Sequence, residues 1–523
     1  MSREKQLKKL KEVTEWDIIV IGGGASGLGI ALDAVTRGFS TVLFEHVDFG
    51  KGTSGRSTKL VHGGVRYLAQ GNISLVKEAL KERGILSKNA KHLFKNQTFI
   101  IPCYQWWENF YYTIGLKIYD FLAKKLSLGK STWIRKKEMT KRFSTLKRSK
   151  LSGGVVYHDG LFDDARLAVN LAQTSVQHGA TVLNYTKVIN LIKNHTGTIQ
   201  GVLVEDKETC EVYTVKGKVV VNATGVFANK IFKLNGRKKR ELKVVPSQGI
   251  HLVLDTSFLN SKHALMIPKT SDGRVLFIVP WHGKLIVGTT DTPITKPSYE
   301  PKAFDEEIDF ILQTAAAYLV KVPGRKDVLS VFAGLRPLVA PEGDKKNTKE
   351  ISRGHKIIVS ETGLISILGG KWTTYRKMAE EVMDKAIEVH GLLNKFSVTE
   401  TFSIHGSIDN QLRPEDSHWD VYGSDAENLQ RFIQTKEVYA QKIHPQYDYT
   451  VGEIVWFIQN EMARTVEDIL ARRIRLLFLD AKAAVESAPK ISEILAKELD
   501  KDTHWANTQT EEFIALAKNY LLN

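Results

Sequence analysis

The sequence predicts an α/β protein: a discontinuous doubly wound nucleotide-binding domain, an α+β cap carried on it, and a helical C-terminal domain. Three observations carry that prediction. A glycine trio, Gly22-x-Gly24-x-x-Gly27, stands between a strand-like run and a helical one. Two apolar runs, Val275 to Trp281 and Lys284 to Thr290, meet at His282-Gly283, a two-residue hairpin signal. Beyond about Asn394 the strand-like runs give way to helical periodicity, from Ile469 to Val485 and again from Ile491 to Leu499.

In chain order, Met1 to Glu15 reads as a short basic helical arm with Leu7 and Leu10 among its lysines. Trp16 to Ile21 is a strand-like run, the helix after the glycines stops at Gly38, and Thr41 to Glu45 reads as a second strand, so the N-terminus is a strand–helix–strand unit. Lys218 to Asn222 and Gly249 to Leu254 resume the strand pattern. Gly363 to Leu368 leads into Gly369-Gly370, and the three- and four-residue spacing from Tyr375 to Ile387 predicts a helix ended by Gly391. Thr465-Val466-Glu467-Asp468 resembles a capping box. The expected boundaries are a basic arm at 1–16, a nucleotide domain at 17–103, 151–245 and 331–392, an aromatic-basic segment at 104–150, a cap sheet at 246–330 and a helical domain at 393–523.

The chain has 523 residues, 42% hydrophobic and 25% charged, proportions that exclude a disordered, collagen-like or coiled-coil protein. Two cysteines, Cys103 and Cys210, cannot build a disulfide framework or a four-thiolate metal centre, so a reducing compartment and no metal site are expected. Neither a secretory signal nor an apolar run of membrane-spanning length is expected. The formal net charge is +16, which points to anionic partners. More than half of the excess lies between Tyr104 and Lys150, beside aromatics such as Trp106, Trp107, Phe110, Phe121 and Trp133. Such a mixture suits a lipid headgroup interface and equally a solvated basic face over a core helix. No nucleic-acid motif accompanies the charge, so no nucleic-acid partner is expected.

The glycine trio has the context a dinucleotide fingerprint needs. Gly22 permits the tight turn, Gly24 lets a pyrophosphate approach the backbone, and Gly27 lets helix and strand pack closely, while the helix N-terminus offers amides to phosphate. Glu45, at the end of the second strand, is placed to hold a ribose diol and to repel a 2′-phosphate, which disfavours NADP. The fingerprint alone does not separate NAD from FAD; the strand-and-turn Val221-Asn222-Ala223-Thr224-Gly225 resembles the second FAD-contacting motif of two-domain flavoproteins, and that resemblance favours FAD.

Thr53-Ser54-Gly55-Arg56-Ser57-Thr58-Lys59-Leu60-Val61-His62-Gly63-Gly64-Val65-Arg66-Tyr67 is dense in hydroxyls, glycines and cations. With the fingerprint it closely resembles the FAD-dependent glycerol-3-phosphate dehydrogenase family of the respiratory type. The likeness continues through Asp163 to Leu167, Gly249-Ile250-His251, Val279-Pro280-Trp281, Gly288-Thr289-Thr290-Asp291, Gly334 to Leu338, Gly369 to Arg376 and Glu467 to Arg473, which together cover almost the whole chain in family order. The resemblance implies an FAD-binding domain with a substrate-binding cap. It implies oxidation of sn-glycerol 3-phosphate to dihydroxyacetone phosphate, and electrons passed to membrane quinone. It further implies a cytoplasmic protein held peripherally on the inner face of the cell membrane, against anionic lipid, and it admits a homodimer.

On that resemblance Gly22, Gly24, Gly27, Glu45, Thr53, Ser54, Lys59, Gly63, Ala223, Gly225, Gly370 and Thr373 are the expected cofactor contacts. Removing a carbinol hydride requires a base for the hydroxyl proton, and a neutral imidazole serves near pH 7; His62 and His251 are the candidates, with their order open. A phosphate dianion calls for fixed cations, and Arg66 and Arg336 are the choices. Lys371, between the Gly-Gly turn and the helix, is expected to bind substrate or offset negative charge on the cofactor. Tyr375 is either a substrate contact or core. The rivals are a glycerol-3-phosphate oxidase releasing peroxide, an amine or amino-acid oxidase on the same fold, and a non-enzymatic nucleotide-binding module.

Overall fold

The computed structural model describes residues 1–69, 71–236, 242–341, 354–408 and 418–522. Strand Trp16–Ile21 is central to the first sheet. It pairs in parallel with Thr41–Phe44 on one side and Val212–Asn222 on the other, with Val20 opposite Leu43 and Val221. Thr181–Leu183 extends the sheet beyond Thr41–Phe44, and Ile365–Gly369 and His355–Val359 extend it beyond Val212–Asn222. Alternation sends Ile18 and Val20 to one core and Ile19 and Ile21 to the other, so a strand without polar alternation is covered on both faces. Helices Ala25–Thr36, Asp164–Gln177 and Tyr375–His390 cover one face. Gly391, at φ +62°, ends the last of them as expected.

Among the described residues the second sheet has ten strands, mostly antiparallel, built around Leu242–Asp255 and Val328–Pro341. Its predicted hairpin forms as Leu276–Trp281 and Lys284–Gly288. His282 (φ +44°) and Gly283 (φ +72°) supply the two left-handed residues that such a turn demands. Helices Asp305–Tyr318 and Lys136–Arg142 seal one face of this sheet. The opposite face, with Phe99, Tyr157, Met266 and Phe332, looks toward the C-terminal helices.

The sheets divide the chain differently from the sequence boundaries. Phe94–Cys103, Gly153–Phe162 and Val328–Pro341 pair within the second sheet, although the expected boundaries give them largely to the nucleotide domain. An apolar strand reads the same whichever sheet accepts it, so only long-range pairing could divide them. The segment 104–150 is likewise part of that sheet's body: Thr132–Arg135 pairs with Gly153–Phe162. The N-terminal helix Arg3–Glu12 is docked rather than loose, with Arg3 buried against the Asp206 carboxylate at 2.9 Å and Leu10 in the core.

In the C-terminal region the box at Thr465 forms reciprocally: the Asp468 amide donates to the Thr465 hydroxyl at 3.2 Å, and the Thr465 amide to the Asp468 carboxylate at 3.1 Å. A single wide turn, Asp468–Arg473, follows, then Leu476–Leu479 and one continuous helix, Ala481–Glu498.

Candidate active site

A cavity of about 740 Å³ runs from the glycine turn to the face of the second sheet, a size suited to a cofactor and a small substrate. At its nucleotide end the three glycines divide the work that their spacing implies. Gly22 lies at φ +111°, and a Cβ there would meet the Ala223 carbonyl oxygen at 2.7 Å. A Cβ on Gly27 would stand 1.8 Å from the Gly22 carbonyl oxygen, so Gly27 serves helix–strand contact and does not line the cavity. Gly24 does line it, and a Cβ there would crowd the Ser54 hydroxyl at 3.0 Å. That hydroxyl accepts from the Ala25 amide at 2.9 Å, marking the helix N-terminus that opens onto the cavity.

The Glu45 carboxylate accepts from the Gly23 amide at 2.6 Å and the Val47 amide at 2.9 Å. Burial raises its pKa, and those amides pull the other way. Beyond Glu45 the cavity is bounded by Phe227 and Tyr299, stacked at 4.1 Å between ring centroids, with the Lys230 ammonium over both rings. A bare glycine turn, a helix N-terminus facing the cavity and a buried carboxylate after the second strand fit a dinucleotide with an unphosphorylated ribose.

Three motifs far apart in sequence close the middle of the cavity. The Trp372 indole donates to the Ser54 carbonyl at 2.7 Å, and the Thr53 hydroxyl donates to the Leu335 carbonyl at 2.6 Å. Gly370 (φ +87°) has no room for a Cβ, which would meet the Met378 thioether at 2.4 Å. Thr53, Ser54, Ala223, Gly225, Gly370 and Thr373 all border the cavity.

His62, His251, Arg336 and Lys371 border the same space. His251 is buried, stacked on Phe332 at 4.8 Å, with Nε2 2.9 Å from the Thr58 hydroxyl. Burial, then the charges of Lys59 and Arg336, hold its pKa well below the usual histidine value, so the ring is neutral. Arg336 donates to the Gln248 carbonyl at 3.2 Å and the Thr289 hydroxyl at 3.1 Å, and lies 3.6 Å from the Asp291 carboxylate. Gly249 makes its room, since a Cβ there would stand 2.3 Å from the guanidinium. The Lys371 ammonium sits over the Tyr67 ring, 3.9 Å from its centroid. Arg66 falls in helix Val65–Ala69, and its side chain lies outside the described residues.

Three other expected contacts turn away from the cavity. Lys59 is fully buried, and its ammonium donates to both Asp164 oxygens at 2.7–2.8 Å and to the Gly55 carbonyl at 2.8 Å. Its left-handed backbone (φ +64°) aims it inward. Gly63 is packed under Leu80 and Tyr119. Tyr375 is core, against Gly29 and Trp372. Conversely, Phe99, Tyr157, Asp159, Met266, Arg274 and Phe277 line the cavity without having been singled out. They come from four strands and a turn, and only cross-strand register brings them to one face. Among the described residues no group of three or more His, Cys, Asp or Glu side chains is arranged to hold a metal ion.

A glycine-lined nucleotide cleft opening onto a cationic, histidine-bearing pocket is the construction of a flavin-type oxidoreductase. Residues 17–376 match the family model of FAD-dependent oxidoreductases, and residues 360–506 match the model of the C-terminal domain of alpha-glycerophosphate oxidase. The chain is 38% identical to a probable mitochondrial glycerol-3-phosphate dehydrogenase of Caenorhabditis elegans, over 99% of this chain and 75% of that protein. To the mitochondrial glycerol-3-phosphate dehydrogenase of Schizosaccharomyces pombe it is 36% identical, over 99% and 89%. Its fold is similar to that of the FAD-complexed glycerol-3-phosphate dehydrogenase of Bacillus halodurans, with a TM-score of 0.81 at 29% identity and 99% and 98% of the two chains covered. The L-alpha-glycerophosphate oxidase of Mycoplasma pneumoniae shares the fold at a TM-score of 0.56 and 16% identity, over 75% of this chain and 99% of that one. The chain belongs to the FAD-dependent glycerol-3-phosphate dehydrogenase family, and its cofactor is FAD.

Proposed function

We propose that the protein oxidises sn-glycerol 3-phosphate to dihydroxyacetone phosphate at a membrane surface and delivers the electrons to quinone. The observation that carries the reading is the meeting of Arg336, Lys371, His62 and His251 on the cavity that the glycine fingerprint opens. FAD, when bound, supplies the two-electron acceptor for the hydride from C2, and quinone reoxidises it.

This chain's part is binding and proton transfer. Gly22, Gly24 and the positive N-terminal end of helix Ala25–Thr36 receive the pyrophosphate, and Glu45 the ribose diol. Arg336 and Lys371 hold the substrate phosphate, the first through a planar fork and the second as a point charge. His62 takes the hydroxyl proton. His251, whose ring stays neutral, orients the carbinol through its bond to Thr58.

Placement at a membrane is supported by helix Trp106–Ala123. Its outer face leaves Trp106 81%, Phe110 70% and Phe121 79% exposed, with the exposed Lys117, Lys124 and Lys125 beside them. Among the described residues no helix is long and apolar enough to cross a membrane. The reading is of a protein held peripherally on a membrane surface, and the family resemblance extends it to the inner face of the cell membrane. Replacing those lysines with glutamate should strongly weaken pelleting with anionic vesicles; a wild-type protein that does not pellet would remove the membrane assignment.

The match to an oxidase C-terminal domain keeps one rival acceptor, oxygen. Anaerobic addition of glycerol 3-phosphate to the yellow protein should bleach its absorbance, and a soluble quinone should restore it faster than air does. A protein that does not bleach refutes the substrate, and stoichiometric peroxide with no quinone reduction refutes the acceptor.

A further inference from the structure

The strand that leads into the His62 motif is only Leu60–Val61, so its backbone ladder ends one residue before His62. The next two amides are instead received by side chains from distant elements. The His62 amide donates to the Thr373 hydroxyl at 3.3 Å. The Gly63 amide donates to the Tyr119 hydroxyl at 2.7 Å and, at 3.3 Å, to the Asp159 carboxylate.

Tyr119 is held so that it can do nothing else. Its single proton goes to Asp159, whose two oxygens both lie 2.9 Å from the hydroxyl, which leaves a lone pair for Gly63. Asp159 is itself fixed by the Arg83 guanidinium at 2.7 Å, and Arg83 is anchored on the Leu126 carbonyl at 3.2 Å and the His158 carbonyl at 3.3 Å. All three residues are at most 3% exposed, and they come from helix Ile73–Asn89, helix Trp106–Ala123 and strand Gly153–Phe162. Taking an arginine, an aspartate and a tyrosine out of water together has a desolvation cost that an apolar core would avoid. What the triad delivers is one rigid acceptor, set against one peptide. Gly63 allows the approach, because a Cβ there would stand 2.5 Å from the Tyr119 hydroxyl.

We infer that Tyr119 is a positioning residue for the reaction: its hydroxyl, locked by Asp159 and Arg83, holds the His62–Gly63 peptide and so aims His62 into the cavity. The inference rests on the reading of His62 as the base, and the test separates the two. In the FAD-loaded full chain, Tyr119→Phe keeps the ring packed on Val76 and Leu80 and removes only the hydroxyl. Deuterium exchange at the Gly63 amide should rise about tenfold. The kcat for glycerol 3-phosphate should fall by about tenfold with little change in KM, since a misaimed base costs rate rather than binding. The two losses should not add in Tyr119→Phe with His62→Asn. Asp159→Glu, which keeps the pair with Arg83 and shifts the acceptor, should give a smaller loss of the same kind. Unchanged exchange at Gly63, or a loss of equal size with and without His62, overturns the inference. If His62→Asn alone leaves kcat intact, the base assignment falls, while exchange at Gly63 still judges Tyr119.

Discussion

A Cβ at Gly27 would press 1.8 Å from a backbone oxygen, whereas one at Gly24 would meet only the Ser54 side chain at 3.0 Å. The two alanine variants should therefore part company. Gly27→Ala forces helix and strand apart and should cost on the order of 3 kcal/mol, read as a lowered denaturant midpoint of the whole protein. Gly24→Ala should fold nearly normally and release flavin at least tenfold more readily, measured by the fluorescence of free FAD; equal effects in both assays would contradict the division of roles. His92 tests a different property. It is buried with Nε2 3.1 Å from Asn170, and burial lowers its pKa from 6.5 to about 4. The unfolded chain therefore takes up this proton first, so stability from His92 is lost as the pH falls from about 6.5 toward 4, at most about 3 kcal/mol in all. His92→Gln should flatten the wild-type decline of the denaturant midpoint across that window, and parallel slopes would contradict the assignment. Residues of the first kind were legible because a glycine's duty is set by its immediate neighbours. Lys59 was not: it stands in the same motif as His62, yet its partner is Asp164, more than a hundred positions away.

Among elements, the turn Asp468–Arg473 has the least local role. Arg472 and Arg473 both reach back to the buried Asp48 carboxylate, at 2.6 and 2.8 Å. Arg475 donates to Asp164 at 2.9 Å and to the Gly55 carbonyl at 3.1 Å, and Glu467 pairs with Lys51. These contacts clamp the loop that carries Thr53, Ser54 and Thr58 onto the C-terminal helices. The guanidiniums and burial oppose each other at Asp48, and the guanidiniums prevail, holding its pKa below the usual range. Arg473→Met removes one partner from a fully buried charge and should cost about 3 kcal/mol. It should also weaken FAD retention, although the residue borders no part of the cavity. Flavin release indistinguishable from wild type would show the clamp to be irrelevant to the cofactor. The capping box before this turn could be read from four consecutive residues, but the turn's purpose could not, because the pairs with Asp48, Lys51 and Asp164 close across hundreds of positions.

Over the whole molecule, the excess of positive charge is unevenly spent. The arginines at the junction of the C-terminal helices are neutralised by buried carboxylates, while the lysines around helix Trp106–Ala123 face solvent. Vesicle binding by that surface should therefore weaken steeply as ionic strength rises from about 0.05 to 0.5 M, where screening shortens the reach of charge to a few ångströms. A residual affinity due to the exposed aromatics should persist. Binding indifferent to salt would assign the contact to the rings alone.

The sequence by itself determined the nucleotide half of this protein: the glycine turn, the carboxylate at the end of the next strand, the hairpin at His282-Gly283 and the helix closed by Gly391 all follow from spacing and local stereochemistry. Tertiary structure alone decided which strands join which sheet, that Lys59 and Tyr375 face inward, and that Tyr119, Asp159 and Arg83 converge beneath Gly63. Local geometry is written into neighbouring residues. Convergence depends on pairing and burial between segments far apart, and a buried charge shows itself only once its partner is in place.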